Sequence, residues 1–486
     1  MKKTRKILFT LMAGLLAASS VASLGACGKE SSSNTKVTTE DTAVVGYDGS
    51  AVTITFYHSM GAKLKGVLET GLAEFKAMYP NITIEHASYG DYDGVRDQIN
   101  TELNAGYAPS IAFCYPDHVA LYNTMKVVRT LDDYASSDMI ATRADGSTET
   151  IGLTAEQKND YVEAYYEEGK AYGDGKLYSL PFARSTEVLY YNKTEFDKHG
   201  WTVPTTWDEM ETLCAEIKAL YPNSIPLGYD SESNWFITMC EQLKSGYTSA
   251  TGDKFLFNNK DNQDFVKRFA KWYHNGWVTT EELYGGYTSD LFKTTTTDVR
   301  SFMCIGSSAG ATYQCPTAVG GVYPFEVGVA MPPQVNKNEP KVISQGPSVC
   351  IFKKSNPTEV LASWLFAKYL TTSIAFQGQY SSVSGYVPVI KSVEQDPIYQ
   401  ETFLDLADGN LFLPATCVQV SNDMARMNAY YVSPAFNGSS MARDEVGQLM
   451  QYCFANTLGL GDDGIASYIA DEFDYRYDRL VRKYGK

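Results

Sequence analysis

Hydrophobic patterns of two kinds alternate along this chain, and the alternation limits the folds open to it. Val52, Ile54 and Phe56 alternate with other residues as in a strand, and apolar residues at helical spacing follow over 64–78 until Pro80. A second strand, a polar helix and the short apolar strand 110–115 come next, and a similar succession begins after residue 181. Strands joined by helices of this length predict an α/β fold with parallel-rich sheets and helices on both faces.

The ends of the predicted strands indicate where a ligand would bind. In sheets of this kind ligands sit at the carboxyl ends of the strands. Tyr57 and His58 end the first strand, and Tyr115 and Asp117 follow the third. We therefore expect these four residues at the rim of a cleft. The alternatives are core packing for the tyrosines and a structural role for the histidine.

The first 26 residues have the pattern of an export signal: a basic start, an apolar run over 7–16, and small residues up to the cysteine. Residues 24–27, Leu-Gly-Ala-Cys, resemble a bacterial lipobox, in which Cys27 becomes a lipid-bearing N-terminus. The alternative is an uncleaved membrane anchor with a chance cysteine. Residues 27–50 are rich in Ser, Thr and charge, which predicts a flexible tether. We expect the folded body to lie at the extracellular face of a bacterial membrane.

Length and charge narrow the class of protein. Residues 51–486 exceed one typical core, so two lobes are expected. The formal charge of −16 argues against nucleic acid as a partner, because phosphate backbones require Lys and Arg patches. The 35 tyrosines and six tryptophans suit either a sugar-binding cleft or ordinary packing. The cysteines after Cys27 show no C-x-x-C spacing, and we expect mostly free, buried thiols.

Six short runs carry a family resemblance: 52–59, 108–113, 175–181, 188–193, 204–207 and 385–388. Their order resembles that in the family-1 extracellular solute-binding proteins of ABC importers, which include the maltodextrin-binding proteins. The resemblance implies a two-lobe periplasmic-binding-protein fold of type II, hinged on crossing strands near 180–182, near 345–346 and after 370. Lobe 1 would comprise 51–181 with 347–371, and lobe 2 would comprise 182–346 with 372–486.

Other runs are similar to the members that bind glycerol-3-phosphate and its diesters. These runs are 184–193, 307–308, 345–348 and 384–388. The similarity implies ligand contacts at Arg184, Ser185, Ser307 or Ser308, Gly346 and Tyr386. It also implies a phosphate-binding cation at Arg426. The wider family resemblance implies a stacking ring at Trp235, and the resemblance to the maltodextrin-binding members implies a hydroxyl-binding carboxylate at Asp117.

A sugar and a phosphate require different side chains in their binding sites. A sugar needs fixed polar groups for its hydroxyls, because each buried polar group left unpaired costs about 1–3 kcal/mol. Asp117, Asn234 and Arg426 are candidates for that role, and Tyr57, Trp235 and Tyr386 are candidates for the sugar faces. A phosphate instead needs charge-assisted donors. We favour a sugar or oligosaccharide as the ligand, with glycerol-3-phosphate or a glycerophosphodiester as the alternative.

Catalysis is the other class of function to consider. Residues 306–310 match G-x-S-x-G, but the last histidine is His274, so no base follows the serine as an esterase of that type requires. A secreted glycoside hydrolase is the remaining enzymatic alternative, and turnover of an oligosaccharide would identify it. We predict a monomeric binding protein without catalytic residues, cofactor or metal. The chain has no P-loop, so the ATPase that serves its permease is a separate subunit.

Overall fold

The computed structural model describes residues 34–295 and 299–486. The predicted signal 1–26, the lipidation site Cys27 and the tether residues up to 33 lie outside the described residues. No helix among the described residues is long and apolar enough to cross a membrane.

The strands within residues 34–295 and 299–486 form two large sheets and two small ribbons. In chain order they are β1 Val52–His58, β2 Ile82–Ser88, β3 Ile111–Cys114, β4 Ile140–Thr142, β5 Thr148–Thr150, β6 Ser179–Pro181, β7 Glu187–Asn192, β8 Leu227–Tyr229, β9 Val278–Thr280, β10 Met303–Ser307, β11 Val327–Ala330, β12 Val342–Ile343, β13 Ser348–Ile351 and β14 Tyr430–Tyr431.

The helices alternate with these strands. They are α1 Ala62–Met78, α2 Tyr92–Asn104, α3 Pro116–Tyr122, α4 Asp132–Ala135, α5 Ala155–Asp160, α6 Glu163–Glu168, α7 Lys193–His199, α8 Trp207–Leu220, α9 Glu232–Leu243, α10 Lys260–His274, α11 Glu281–Tyr284, α12 Ser289–Lys293, α13 Ala311–Gln314, α14 Pro357–Thr372, α15 Ile374–Ser384, α16 Lys391–Gln395, α17 Pro397–Thr402, α18 Leu413–Arg426, α19 Ser439–Asn456 and α20 Asp462–Tyr484.

The first sheet has the order β2-β1-β3-β13-β6, with β13 antiparallel to both of its neighbours. Strand periodicity divides its side chains between two faces. Phe56 and Phe113 pack under α1 and α14, whereas Tyr57 and Ala112 pack under α2 and α3. Helices therefore cover both faces, as the alternating sequence pattern predicts.

The second sheet has the order β11-β7-β10-β8-β9, in which β8, β9 and β10 run parallel and β7 runs antiparallel to β10. Its larger core contains Trp207, Trp235 and Phe269, together with apolar residues of α19 and α20. The sequence correctly predicts α8, which begins with the expected capping box: Glu209 N–H donates to Thr206 Oγ1 at 3.2 Å, and Thr206 N–H donates to Glu209 Oε2.

Extended segments cross between the two sheets side by side. Ser185 N–H donates to the Gln345 carbonyl at 2.6 Å, and Gln345 N–H donates back at 3.0 Å. Arg184 pairs in the same way with Val387. The predicted two-lobe α/β architecture with crossing strands is confirmed. The positions of the lobe boundaries stay a prediction; α15, which follows residue 372, packs against α1 through Phe376 and Tyr380 in the core of the first sheet.

Residues 35–50, which their composition places in a flexible tether, are instead held against the first lobe. Lys353 Nζ donates to the Thr39 carbonyl at 3.1 Å, and Lys354 Nζ donates to the Thr35 carbonyl at 2.9 Å. The Tyr47 side chain is buried. Polar composition misleads here because polar groups of the segment also bind the first lobe: its backbone carbonyls accept from lysines, and Asp41 pairs with Arg129 at 3.4 Å.

Candidate functional site

A cavity of about 1140 Å³ lies between the two sheets and takes its wall from both. Ser59, Tyr92, Asp93 and Tyr115 come from the side of the first sheet. Asp230, Asn234, Ser307 and Arg443 come from the side of the second. A smaller pocket of about 50 Å³ adjoins it, because Tyr115, Gln345 and Arg443 line both spaces. The volume of the large cavity, about 1140 Å³, suits a ligand of one to a few sugar rings.

Parallel strands set one wall of the cavity. Tyr229 of β8 pairs with Thr280 of β9 and with Ile305 of β10, so the three strands end at the same edge. Asp230, Glu281 and Ser307, which stand at or just after those ends, line the cavity. This is the place where open α/β sheets bind their ligands.

Helix α9 presents the polar residues of its first turn to the cavity and turns Trp235 into the core. Ser231 caps the helix by accepting a hydrogen bond from Asn234 N–H at 3.2 Å. Asn234 then donates to Gln345 Oε1 at 3.1 Å. Trp235, rotated by about 100° around the helix axis, is fully buried and stacks on Tyr229 with ring centroids 4.7 Å apart.

Arg443, in the first turns of α19, is the central cation of the site. Its guanidinium donates to Asn234 Oδ1 and, at 3.5 Å, to Gln345 Oε1. Burial opposes its charge, but Asp117, Tyr115 and Tyr247 outweigh that effect and raise the pKa of Arg443. The side chain therefore holds a positive charge where the crossing segment, α9 and the first lobe meet.

A second arginine joins the two lobes beside the cavity. Arg96 of α2 contacts Asp444 of α19 at 3.3 Å and also donates to Ser440 Oγ at 3.1 Å. On its own lobe Arg96 pairs with Asp93 at 3.1 Å. Burial raises the pKa of Asp93, but His118 and Arg96 outweigh it and lower that pKa to about 2. Asp93 is thus a fixed carboxylate in the cavity wall.

Glu187, at the start of β7, is a buried acid in the same wall. Tyr229 Oη donates to its Oε2 at 2.5 Å. Burial raises the pKa of Glu187 to about 7, although Tyr229, Asn234 and Arg443 act in the opposite direction. At neutral pH this carboxyl is therefore divided between its neutral and ionised forms.

Tyrosine rings form the apolar part of the wall. Tyr92 and Tyr386 share a hydrogen bond between their hydroxyls at 2.7 Å, and the rings of Tyr92 and Tyr115 lie 4.6 Å apart. Tyr287 and Tyr452 are more than 40% exposed and also line the cavity. Flat rings with polar edges match the C–H faces and hydroxyls of a sugar.

Six of the predicted site residues lie at these two spaces. Tyr115, Ser185, Ser307 and Tyr386 line the cavity, and Asp117 and Gly346 line the small pocket. Gly346 adopts φ +143°, and a Cβ atom there would lie 2.3 Å from the Ala183 carbonyl oxygen. The crossing segment therefore requires glycine at this position.

The other predicted residues do not line either space. Tyr57 donates from beneath α2 to Glu102 Oε1 at 2.7 Å, and His58 lies 2.9 Å from His86, with burial lowering its pKa to about 3. Arg184 is buried against Glu168 at 2.7 Å. Ser308 and Trp235 are buried behind the wall, and Arg426 is exposed and pairs with Asp423.

Arg443, Asp93, Asp230 and Glu187 are site residues that the sequence reasoning missed. One signal for the first was available: Arg443, Gly447 and Gln451 recur at four-residue spacing on one face of a helix whose opposite face buries Val446, Leu449 and Met450. All three line the cavity. An arginine on such a face, next to a glycine that leaves space, indicates a binding role for that face.

Comparisons with known proteins agree with this architecture. A family model for bacterial extracellular solute-binding proteins matches residues 72–404. The chain is 28% identical over 234 residues to the sn-glycerol-3-phosphate-binding periplasmic protein of Shigella flexneri, covering 47% of this chain and 48% of the relative. It is 23% identical over 349 residues to the maltotriose-binding protein of Pyrococcus abyssi, covering 71% and 68%. The match to the Shigella protein thus spans about half the length of that relative.

Solved structures share the fold at low identity. UgpB from Mycobacterium tuberculosis in complex with glycerophosphocholine superposes with a TM-score of 0.68 at 15% identity, covering 89% of this chain and 99% of that chain. Maltose-bound MalE3 of T. maritima superposes with a TM-score of 0.67 at 17% identity, covering 87% and 100%. These likenesses establish the two-lobe fold.

Proposed function

Because this chain belongs to the family of bacterial extracellular solute-binding proteins, we propose that it captures a sugar or oligosaccharide between its lobes for an ABC importer. The ligand is bound, carried and released unaltered to a permease whose ATPase is a separate subunit. Lipid on Cys27 holds the protein, as a monomer, at the extracellular face of the membrane.

The charge of the cavity wall is the observation that favours a sugar. Among the residues that the structure describes, nine Asp and Glu residues line the cavity against three cations, Arg96, Lys293 and Arg443. An anionic phosphate would meet repulsion from most of this wall. A sugar brings hydroxyl donors, which carboxylates accept. The tyrosines beside them offer surfaces for its C–H faces.

A glycerol phosphate is the second candidate, and Arg443 is the observation in its favour. A buried guanidinium can bind phosphate through two parallel hydrogen bonds. Two proteins that are similar to this chain also favour a glycerol phosphate. One is a glycerol-3-phosphate-binding protein, and the other was solved in complex with glycerophosphocholine. Arg443, however, already faces Asp117 and Asp93 and is engaged with Asn234.

Binding is coupled to closure of the two lobes. A ligand that contacts both lobes stabilises the closed state. It does so only to the extent that it binds the closed state more tightly than the open state. The Arg96–Asp444 contact belongs to the closed arrangement because it joins α2 to α19. The paired crossing segments at 184–185, 345 and 387 serve as the hinge.

A ligand screen by thermal shift and calorimetry tests the proposal. The panel contains maltose, maltotriose, raffinose, glycerol-3-phosphate and glycerophosphocholine, and chromatography after incubation checks that the bound compound is unchanged. We expect a saccharide to bind and be recovered intact. Tight binding of a phosphate compound alone would select the second candidate, and a shortened saccharide would indicate a glycoside hydrolase.

Two matched variants test the site. Arg443→Gln should weaken saccharide binding at least about tenfold, because it removes charge-assisted donors worth roughly 1.5–3 kcal/mol. Arg426→Gln makes the same substitution at an exposed residue outside the cavity and should leave the affinity unchanged. Equal effects of the two substitutions would place the binding site elsewhere.

A further inference from the structure

The segment 35–50 limits how far an anchored protein can move from its anchor. Thr35 is already bound to the first lobe: its hydroxyl donates to Glu359 at 2.7 Å, and its carbonyl accepts from Lys354 Nζ at 2.9 Å. Eight residue steps separate Cys27 from Thr35. A fully extended chain gains at most about 3.3–3.6 Å per step, so Thr35 lies within roughly 30 Å of an acyl-bearing Cys27.

This reach is short compared with the folded body. A compact chain with the length of residues 35–486 has a radius of gyration of roughly 22 Å, and therefore a width of at least about 50 Å. A lipid on Cys27 cannot bring the far side of such a body to the membrane. The membrane has to approach the side of the first lobe where Thr35 is bound.

That side is built from four paired stretches of chain. Val37 N–H donates to the Gly106 carbonyl at 3.0 Å, shortly before β3, and Val37 also pairs with Lys354, shortly after β13. Lys353 N–H in turn donates to the Val127 carbonyl at 2.8 Å. We call this set of stretches the strip. It lies at the ends of β3 and β13 away from the cavity, which takes its wall from the opposite ends of these strands.

The exposed side chains of the strip suit a lipid surface. Tyr107, which pairs with Lys36, is 37% exposed, and Met125 is 44% exposed. Lys36 and Lys126 are exposed beside them. Membrane interfaces favour tyrosine, with its apolar ring and polar hydroxyl, and lysine, with its long apolar stem. We call Lys36, Tyr107, Met125 and Lys126 the lysine edge.

Acids do not outweigh the lysines at this edge. Asp41 pairs with Lys353 at 3.3 Å, so its charge is already balanced, and Glu40 remains exposed. Lys36 and Lys126 therefore leave the strip slightly positive in a chain whose formal charge is −16. An anionic surface would be repelled by most of this protein and attracted here.

We propose that the lysine edge rests on the lipid surface, which holds the first lobe there while the cavity stays open and the second lobe stays free to close over a saccharide. The inference rests on the acyl-bearing Cys27 of the proposed function and adds the face of the protein that meets the membrane. Each lysine close to an anionic surface favours contact about fivefold. The tyrosine and the methionine add apolar contact at the level of the headgroups.

Fluorescence energy transfer on vesicles measures this orientation. The acylated mature protein is placed on vesicles of phosphatidylcholine and phosphatidylglycerol that contain an acceptor dye. The donor is attached through Thr124→Cys, beside the lysine edge, or through Asp471→Cys, on α20 of the second lobe. Both are made with Cys315→Ser, which removes a half-buried thiol. We expect transfer from position 124 to be at least about twofold higher, because the short reach keeps only this side near the acceptor.

Charge variants separate contact with lipid from the length of the tether. K36Q/K126Q should lower the transfer from position 124, because it removes about a 25-fold preference for contact. Sodium chloride at about 0.5 M should act in the same way, since it screens exposed charges. K244Q/K337Q is the matched control, because it removes two exposed lysines from the second lobe. This control should leave the transfer as in the wild type.

The outcomes distinguish this inference from the proposal beneath it. Equal transfer from the two positions, or higher transfer from position 471, overturns the inference and leaves saccharide capture untouched. Transfer that K36Q/K126Q does not lower, or that the control lowers as much, also overturns the contact at the lysine edge. A mature protein whose mass shows no acyl chain on Cys27 overturns the lipid anchor and this inference together.

Discussion

Replacement of Trp235 by alanine distinguishes a core residue from a ligand-stacking ring. The side chain is fully buried, lies 4.4 Å from the Phe269 ring centroid and stacks on Tyr229 with an angle of 8° between the rings. Truncating a buried aromatic residue to alanine costs about 3–5 kcal/mol, which combines lost burial with an unfilled cavity. We expect Trp235→Ala to lose that much free energy of unfolding.

The assay is urea denaturation followed by far-UV circular dichroism, with saccharide affinity measured on the same samples. Tyr287→Ala is the control, because Tyr287 lines the cavity and is largely exposed. It should change the free energy of unfolding by less than about 0.5 kcal/mol while weakening binding. The reasoning is refuted if Trp235→Ala leaves the free energy of unfolding within about 1 kcal/mol and abolishes binding.

Three further substitutions test the acids and the hinge. Burial raises the pKa of Glu187 from an ordinary 4.5 to about 7 on folding, so the contribution of this one group to stability is fully present below pH 4.5 and is lost, by up to about 3 kcal/mol, as the pH rises through 7. Glu187→Gln should remove this loss, which melting curves of the variant and the wild type at pH 5 and 8 measure; an unchanged difference between the two pH values would contradict it. Asp444→Asn removes the contact with Arg96 between the lobes, so calorimetry should show affinity reduced by up to about fivefold without a lower melting temperature. Gly346→Ala should cost at least about 1–3 kcal/mol of stability by differential scanning calorimetry, because its Cβ would meet the Ala183 carbonyl; wild-type stability would exclude the strain.

The fold could be predicted because its signals are local. The alternation of strand and helix patterns and the Thr206–Glu209 capping box depend on residues close in sequence, and the structure confirms them. The family resemblance is confirmed as well, since it rests on short runs kept in order along the chain. Each of these features can be recognised without knowing which distant segments meet.

The site was harder to predict because it depends on the direction of single side chains. Position at the end of β1 places Tyr57 at the correct edge, but alternation along the strand turns its side chain toward α2 and Glu102. Rotation by one residue on α9 likewise separates Asn234, at the cavity, from Trp235, in the core. The composition of the neighbouring loops does not predict which of these side chains faces the cavity.

Arg443 was missed for a different reason. It reaches the cavity from α19, 209 residues beyond Asn234 in sequence, and its partners Asp117 and Gln345 come from two other segments. The packing of α19 against both α9 and α3 brings these groups together. A charge whose function arises from long-range contacts leaves a weak local pattern.

A crystal structure of the protein grown with the tightest-binding saccharide from the panel tests the central claim most directly. The account predicts one intact saccharide between the lobes, with hydroxyls at Asn234 and Arg443 and a ring face against Tyr92 or Tyr115. A saccharide bound on an outer surface, a cleaved saccharide, or an empty space between the lobes with saccharide bound elsewhere would contradict it.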